Sequence, residues 1–429
     1  MRTLAAWIGA RQVGAFAEEH EAEGTRYTFD YAPAAAESDL VSLTMVPTEA
    51  TRRFQMRTFP PPFDMILPEG ERRQRIESAR KILPTDAFSL LSYVGGNPVN
   101  RVKFLPPGQS PTADVPQLPA PAEIASCGNG LEMFQRLIAD LDLRQGIAGV
   151  QPKVLGQTPR EKRKVSRELR NYRGSTHILK ASSGRYPFLA ANEYACAEVF
   201  SAAGLEVPEA QLSADGQLLM VRRFDILADG SLLGFEEAAA LMGETAESKY
   251  RRDYGSMIDA MARFAPPAVE DEIRARLIKA VVLNCLIGNG DAHLKNFGVL
   301  YSTPMDVRLT PFYDSVSTLP YLPDDVPALA LSYDHYSKAW WSREELERFA
   351  RDHGRLRDPV IAELFESACE AVVQGTRVLK KMGSAIPGFG DLATHITRIW
   401  NGRVGSFRKV PGGGRPSGAT RRRRPASRA

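Results

Sequence analysis

Hydrophobic and polar positions follow two different periods in the first hundred residues of the chain. Short apolar alternations, YTFDY (27–31) and LVSLTMV (40–46), come before a charged segment with helical spacing, FDMILPEGERRQRIESARKIL (63–83). Alternation with period two is typical of a strand, whereas apolar residues three or four apart are typical of a helix. Residues 1–105 are therefore predicted to form a small α+β unit.

A proline-rich stretch, residues 106–125, has the composition of a linker. Beyond it, the spacing of apolar residues predicts a succession of helices and strands. The predicted elements are a helix in LEMFQRLIADLDL (131–143), a strand in THILK (176–180), a helix in FLAANEYACAEVFSAAG (188–204) and a strand in LLMVRRFDI (218–226).

From about residue 230 to about residue 400 the pattern is mostly helical. Two stretches interrupt it, GNGDAHLKNFGVLY (288–301) and VRLTPFYDSVS (307–317). Residues 403–429 are rich in Gly, Pro and Arg, and we expect them to be disordered because this composition cannot bury a core.

The net charge of +4 is unevenly distributed. Residues 403–429 hold nine Lys or Arg and no acid, so residues 1–402 carry +4 − 9 = −5. The basic character belongs to the tail, whose RRRR run (421–424) suits a nucleic acid, an acidic partner or simple solvation. The rest of the chain has no broad nucleic-acid footprint.

The sequence predicts a cytoplasmic protein with no membrane partner. No apolar run approaches the ~18–20 residues that span a bilayer, and the apolar part of MRTLAAWIGARQVGAF (1–16) is too short for a secretory signal. The four cysteines, Cys127, Cys196, Cys285 and Cys369, form no CxxC pair. This spacing argues against a zinc site or a disulfide framework and favours small buried side chains.

The polar stretch at 288–301 contains the strongest chemical signal. Asp291 and Asn296 are five positions apart, and Asp314 follows eighteen residues later. Phosphoryl transfer from ATP needs a carboxylate that accepts the substrate hydroxyl proton, and an Asn and a second carboxylate that hold Mg²⁺. Asp-x-x-x-x-Asn alone is a weak signal, but the downstream Asp and the strand lysine Lys180 strengthen it.

Two other interpretations apply to this stretch. Asp291 and His293 have the spacing of metal ligands in a hydrolase, but the chain has six His and none lies in an HxH or HExxH pattern. A polar turn in which Asp and Asn cap the backbone is the simplest structural alternative. It is weaker for DAHLKN (291–296), because so many polar groups between apolar elements would lose hydration without a compensating role.

Residues 1–400 resemble the HipA family of bacterial serine/threonine kinase toxins. The resemblance lies in FDMILPEGERR, GIAGVQPK, THILK, NEY, VRRFD, GNGDAHLKN and LTPFYDSVS, in that order. It implies an α+β fold in which a protein-kinase-like, two-lobed catalytic region with a mostly helical C-lobe follows a small α+β N-terminal domain. The implied divisions are 1–105 (N-terminal domain), 106–125 (linker), 126–228 (N-lobe), 229–402 (C-lobe) and 403–429 (basic tail).

The resemblance implies ATP and Mg²⁺ as cofactors. Asp291 is the implied catalytic base, Asn296 and Asp314 the implied magnesium ligands, and Lys180 the implied phosphate-binding lysine. Glu193, in the next predicted helix, is a candidate partner for Lys180, although a solvated helical face fits it equally well. The remaining expected nucleotide contacts are Ala148, Gly149, Val150, Gln151, Pro152 and Lys153 in a phosphate loop, Arg222, Arg223 and Phe224 in a hinge, and His293, Leu294, Lys295 and Tyr313.

Two positions depart from the family pattern. Gly146 stands where the family usually has a Ser whose autophosphorylation silences the kinase, and residues 140–156 contain no Ser, Thr or Tyr. We therefore expect no silencing by phosphorylation of this loop. Arg222 stands where the family often has Glu, so a side-chain contact with the adenine amino group is not expected from this position.

The resemblance also implies partners. A HipB-like helix-turn-helix antitoxin is expected, with DNA contacted through that antitoxin, and a protein substrate such as an aminoacyl-tRNA synthetase whose phosphorylation arrests growth. Two alternatives stay open: a small-molecule kinase of the aminoglycoside or choline type, and a HipA-like binding protein that transfers nothing. The LPEGERR segment (67–73) argues against the first, and the intact Lys180, Asp291, Asn296 and Asp314 argue against the second.

Overall fold

The N-terminal domain is built on a five-stranded antiparallel sheet with strand order β4-β3-β2-β1-β5. The structure is a computed structural model that describes residues 1–111, 118–139, 153–157, 176–334 and 337–408. The elements are β1 (Arg2–Ile8), β2 (Arg11–Glu21), β3 (Gly24–Tyr31), β4 (Arg53–Met56), α1 (Pro61–Asp64), α2 (Gly70–Arg80), α3 (Ala87–Val94) and β5 (Val102–Leu105). Alternate residues of β2 and β3 point into an aromatic core, where Phe16 contacts Phe63, Phe88 and Phe104.

A second antiparallel sheet, with strand order β6-β7-β9-β8, forms the next part of the molecule. Its elements are α4 (Pro121–Ser126), α5 (Gly130–Ala139), β6 (Lys153–Gly156), β7 (His177–Ala181), α6 (Leu189–Ala202), β8 (Ala210–Leu212) and β9 (Leu218–Arg222). Helix α6 packs between this sheet and the helical region, which places the ends of β7 and β9 close to the C-terminal half of the chain.

The remaining region is mainly helical and carries a small sheet with strand order β10-β11-β12. Its elements are β10 (Gly234–Glu237), α7 (Ala238–Leu241), α8 (Tyr254–Phe264), α9 (Glu270–Ile287), β11 (Gly298–Tyr301), β12 (Arg308–Leu309), α10 (Arg343–Asp352), α11 (Asp358–Ala385) and α12 (Gly390–Arg408). Trp400 of α12 is fully buried, and its indole N–H donates to the Ile287 carbonyl at 3.0 Å. This bond ties α12 to the end of α9, where the polar stretch 288–301 begins.

Three local sequence predictions differ from the structure. LVSLTMV (40–46) forms no strand, because the amide of Leu43 and the hydroxyl of Ser42 bind the Glu236 carboxylate instead of a neighbouring strand. Within the predicted linker, Leu118 and Ile124 are buried against the second sheet, and α4 begins at Pro121. Helix α12 runs to Arg408, past the predicted start of the tail at residue 403, because Val404 and Phe407 pack into the core.

In the described part of the chain, no helix is long and apolar enough to cross a membrane.

Candidate active site

A buried lysine joins two carboxylates at the centre of the site. Lys180 of β7 is 3% exposed and contacts Glu193 from α6 and Asp314 from the segment after β12. Lys153, at the start of β6, pairs with Lys180 across the sheet and places its Nζ 3.2 Å from Asp314 Oδ2. Two ammonium groups therefore converge on Asp314.

These contacts keep Asp314 ionised. Burial alone would raise the pKa of its carboxyl group, but Lys153 and Lys180 hold that pKa far below its usual range. Burial would lower the pKa of Lys180, but Asp314 and Glu193 outweigh this and raise it. The backbone of Asp314 has φ +54°, a left-handed conformation that costs a residue with a side chain about 1–2 kcal/mol. Such strain is typical of functional positions, and here the ion pairs hold the residue in place.

The loop that carries Asp291 and Asn296 begins where α9 ends. Gly288 terminates this helix with φ +67°, a conformation that glycine adopts without steric cost. Gly290 follows, and a side chain there would collide with the Asp325 carboxylate and approach the Val326 carbonyl at 2.8 Å. The two glycines of GNGD thus let the chain leave a buried helix and pass close to a neighbouring loop.

Asp291 is held by a tyrosine. The Tyr250 hydroxyl donates to Asp291 Oδ1 at 2.7 Å, and the Asp291 amide donates to Asn289 Oδ1 at 3.0 Å. Partial loss of hydration raises the pKa of the Asp291 carboxyl, and the Tyr250 hydrogen bond offsets part of that rise. A carboxylate with a raised pKa is a better proton acceptor than a fully solvated one. The side chain is still half exposed, so a substrate hydroxyl has access to it.

Asn296 connects Asp291 to Asp314. Its side-chain amide donates to the Asp291 carbonyl at 3.1 Å and to the Asp314 carbonyl at 3.3 Å. Both donor positions are directed to these carbonyls, so its Oδ1 is the atom left for a cation. An amide oxygen and a carboxylate suit Mg²⁺, which takes few protein ligands and completes its shell with water and phosphate. The donor set at Asn296 and Asp314 therefore fits this ion.

A cavity lies beside the cluster, between the second sheet and the N-terminal domain. Its wall on the side of the second sheet includes these residues that were predicted to bind the nucleotide: Lys153, Lys180, Arg222, Arg223, Phe224, Tyr313 and Asp314. Its other wall includes Pro62, Met65, Ile66 and Val99 of the N-terminal domain. An apolar cavity with cations at one end has the chemistry that a nucleotide needs.

The predicted hinge arginines have different surroundings. Arg223 is buried, and its guanidinium binds both carboxylate oxygens of Asp225, at 3.0 Å and 2.6 Å. Arg222 is exposed, and its guanidinium binds Glu209 at 2.8 Å. Arg223 thus fixes the end of β9 from inside the protein.

Three expected nucleotide contacts lie away from the cavity wall. Leu294 is fully buried in the apolar core, because its loop folds back onto the helical region. The Lys295 ammonium binds Glu69 of the N-terminal domain, which removes it from the phosphate side. His293 is buried beside Lys249 and Lys295, and burial together with these cations lowers its pKa to about 3, so the imidazole is neutral. The predicted loop residues Ala148, Gly149, Val150, Gln151 and Pro152 lie outside the described residues.

Three residues near the loop were not assigned a role from the sequence. Glu69 contacts Lys295, Glu237 lies 3.6 Å from the same lysine, and Tyr250 binds Asp291. Glu69 lies within the LPEGERR segment, so membership of that motif was the sequence feature that could have identified it. Glu237 and Tyr250 have no local pattern that distinguishes them from ordinary residues of a strand end and a turn.

Comparison with protein families gives two matches that together span most of the chain. Residues 4–105 match the HipA N-terminal domain, and residues 145–376, more than half of the chain, match the HipA-like C-terminal domain. The chain belongs to the HipA family. This confirms the resemblance inferred from the sequence motifs.

Individual HipA relatives agree with this assignment. A Sinorhizobium fredii protein named as the kinase Y4mE is 29% identical to this chain over 397 residues, which cover 87% of this chain and 92% of that protein. The serine/threonine-protein kinase toxin HipA of Shewanella oneidensis is 26% identical over 295 residues, 63% of this chain and 65% of that protein.

A solved HipA structure has the same fold. It comes from the Shewanella oneidensis MR-1 toxin–antitoxin complex of HipA, HipB and operator DNA, and it matches with a TM-score of 0.67 at 18% identity over 94% of this chain and 96% of that one. The predicted fold class, an α+β fold in which a HipA-like kinase region follows an N-terminal sheet domain, is confirmed.

Proposed function

We propose that this chain is an ATP-dependent serine/threonine protein kinase that uses Mg²⁺. The observation that carries the proposal is the convergence of Lys180, Glu193 and Asp314 beside a cavity, with Asn296 donating to the backbone carbonyls of both Asp291 and Asp314. Phosphoryl transfer is catalysed mainly by positioning and by neutralising phosphate charge, and this arrangement supplies both.

Each side chain has a distinct role in this proposal. Lys180 and Lys153 bind phosphate oxygens of ATP at the inner end of the cavity. Asp291 accepts the proton of the substrate hydroxyl, since its carboxylate is half exposed and has a raised pKa. Asn296 and Asp314 would hold Mg²⁺, which would supply positive charge beside the transferred phosphoryl group.

The proposed biological role is that of the toxin in a toxin–antitoxin pair. It is supported by membership in the HipA family and by the fold shared with a chain of the complex of HipA, HipB and operator DNA. By this analogy the antitoxin is a HipB-like helix-turn-helix protein through which DNA is contacted. A translation component such as an aminoacyl-tRNA synthetase is the proposed substrate, and its phosphorylation arrests growth. This substrate rests on the family resemblance alone.

A labelling experiment in a bacterial lysate tests the kinase activity. Purified protein, Mg²⁺ and γ-labelled ATP are compared with the variants Asp291→Asn and Asp314→Asn, and with Asp271→Asn as a matched control. Asp271 is an exposed carboxylate in the first turn of α9, remote from the site chemistry. We expect a labelled protein band with the wild type and the control, reduced at least about 100-fold in the two site variants.

Other outcomes separate the alternatives. A labelled free metabolite without a labelled protein would indicate a small-molecule kinase. Thermal stabilisation by ATP without any transfer would indicate a HipA-like binding protein. A band that persists in both site variants would contradict the assignment of Asp291 and Asp314.

A further inference from the structure

A carboxylate of the N-terminal domain, Glu69, contacts the proposed catalytic loop. Glu69 precedes the first residue of α2, and its side chain is 14% exposed. Its Oε1 contacts the Lys295 ammonium, and its Oε2 lies 2.7 Å from Lys249 Nζ. One acidic group of the first domain therefore joins two lysines that are 46 residues apart in the kinase region.

Both lysines belong to segments that hold the proposed base. Lys295 lies in the same loop as Asp291, next to Asn296, and its backbone carbonyl accepts a hydrogen bond from the Tyr313 hydroxyl at 2.8 Å. Lys249 directly precedes Tyr250, whose hydroxyl donates to Asp291 Oδ1 at 2.7 Å. Glu69 is thus connected to Asp291 in two ways, through the loop that carries Lys295 and through Lys249 and its neighbour Tyr250.

The electrostatics of this cluster make Glu69 its central charge. Burial would raise the pKa of Glu69, but Lys295 and Lys249 together lower it to about 2, so the carboxylate is ionised at physiological pH. Lys295 and Lys249 are both buried, and Glu69 is the carboxylate that contacts both of them, so its loss would leave their like charges without a shared partner. Glu237 would be left to Lys295 at 3.6 Å, beyond hydrogen-bond distance.

We infer that Glu69 is a positioning residue that clamps the catalytic loop, so that the N-terminal domain forms part of the catalytic machinery. This inference rests on the proposed kinase function for its effect on turnover, but the clamp itself is a structural property. Its loss releases Lys295 and Lys249, loosens the loop from 288 to 297 and displaces Asp291 relative to Asp314. A misplacement of about 1 Å at a reacting group lowers a rate by about 100-fold.

The test uses the full-length protein with three variants. Glu69→Gln removes the charge with almost no change in shape, and Lys249→Met removes one of its two partners. Glu77→Gln is the matched control, because Glu77 is also a buried glutamate of the N-terminal domain and pairs with Arg73 within α2 at 2.7 Å. Two quantities are measured: amide hydrogen exchange of residues 290–297, and kcat and KM for ATP.

We expect faster exchange in the loop and a kcat about 10- to 100-fold lower in Glu69→Gln, with an unchanged KM for ATP because the cavity wall does not include Glu69. We expect Lys249→Met to speed loop exchange and lower kcat to a smaller extent, and Glu77→Gln to change neither quantity. In the double variant Glu69→Gln/Lys249→Met, the two losses are less than additive because both act through one cluster.

The outcomes distinguish the clamp from the kinase activity. Faster loop exchange in Glu69→Gln together with no phosphoryl transfer by the wild type would refute the proposed function and leave the clamp standing. Wild-type exchange and wild-type kcat in Glu69→Gln would overturn the clamp and leave the kinase. Equal changes in Glu69→Gln and Glu77→Gln would also overturn it, since they would reflect a general loss of domain stability. If Glu69→Gln does not fold, Lys249→Met decides by the same criteria.

Discussion

Glu237 should make the stability of this protein depend on pH, and its replacement by Gln should remove that dependence. The side chain lies at the end of β10 and is 13% exposed, and its Oε2 has no hydrogen-bond partner among the described residues. Lys295 Nζ is 3.6 Å away and is shared with Glu69. Burial raises the pKa of Glu237 from 4.5 to about 7.

The size of the effect follows from these two pKa values. Because the folded-state pKa exceeds the unfolded-state value, the folded protein keeps a proton that the unfolded chain has already released between pH 4.5 and 7. Stability therefore falls as pH rises through this window. A difference of one between the two pKa values corresponds to about 1.4 kcal/mol, so ionised Glu237 costs the folded state about 3 kcal/mol above pH 7.

Urea denaturation at pH 5 and pH 8 measures this cost. The free energy of unfolding of Glu237→Gln minus that of the wild type should be about 2–3 kcal/mol larger at pH 8 than at pH 5. Glu344→Gln, a change of the same type at an exposed position in α10, should show the same difference from the wild type at both pH values. If the stability difference between Glu237→Gln and the wild type is the same at both pH values, burial does not raise the pKa of Glu237, and the reasoning is refuted.

Two further predictions concern the buried cluster and the core. Lys180→Met should abolish phosphoryl transfer and lower the free energy of unfolding by about 3–5 kcal/mol, because the buried Glu193 and the Asp314 carboxylate lose their shared cation. Kinase assay and denaturation check this, and a fully stable Lys180→Met would contradict it. Gly375→Ala should destabilise by about 1–3 kcal/mol, since the new Cβ would collide with Val199 of α6 and lie 2.9 Å from Trp400 Cζ3 of α12. A thermal shift assay that detects no change would show that α6 and α12 move away from α11 without cost.

Much of the architecture followed from local patterns in the chain. The helices at 189–202 and 270–287 and the strands around Lys180 and Arg222 could be identified locally, because long apolar runs suit buried helices and short apolar runs bounded by turns suit strands. The HipA motifs identified the family, and their order gave the kinase-like fold. In the structure, Lys180, Asn296 and Asp314 lie within one connected set of contacts.

Other local features were hidden from pattern analysis. Strand β10 was missed within a region predicted as mostly helical, because GFEE (234–237) is short and its partner β11 lies more than sixty residues later. LVSLTMV (40–46) has the alternation of a strand, but within the part of the chain that the structure describes it pairs with no neighbouring strand. Period alone cannot supply a hydrogen-bonding partner.

The sequence by itself determined the residue types of the site and their order along the chain, because phosphoryl transfer requires particular groups at particular spacings. Only the tertiary structure decided which charges meet. Lys295 has the position of a nucleotide contact in the sequence, but the docking of the N-terminal domain brings Glu69 to it across 226 residues. Glu237 and Tyr250 likewise meet their partners, Lys295 and Asp291, only when distant segments of the chain pack together. Burial and charge pairing depend on how separate elements pack together, and no local window of sequence contains that information.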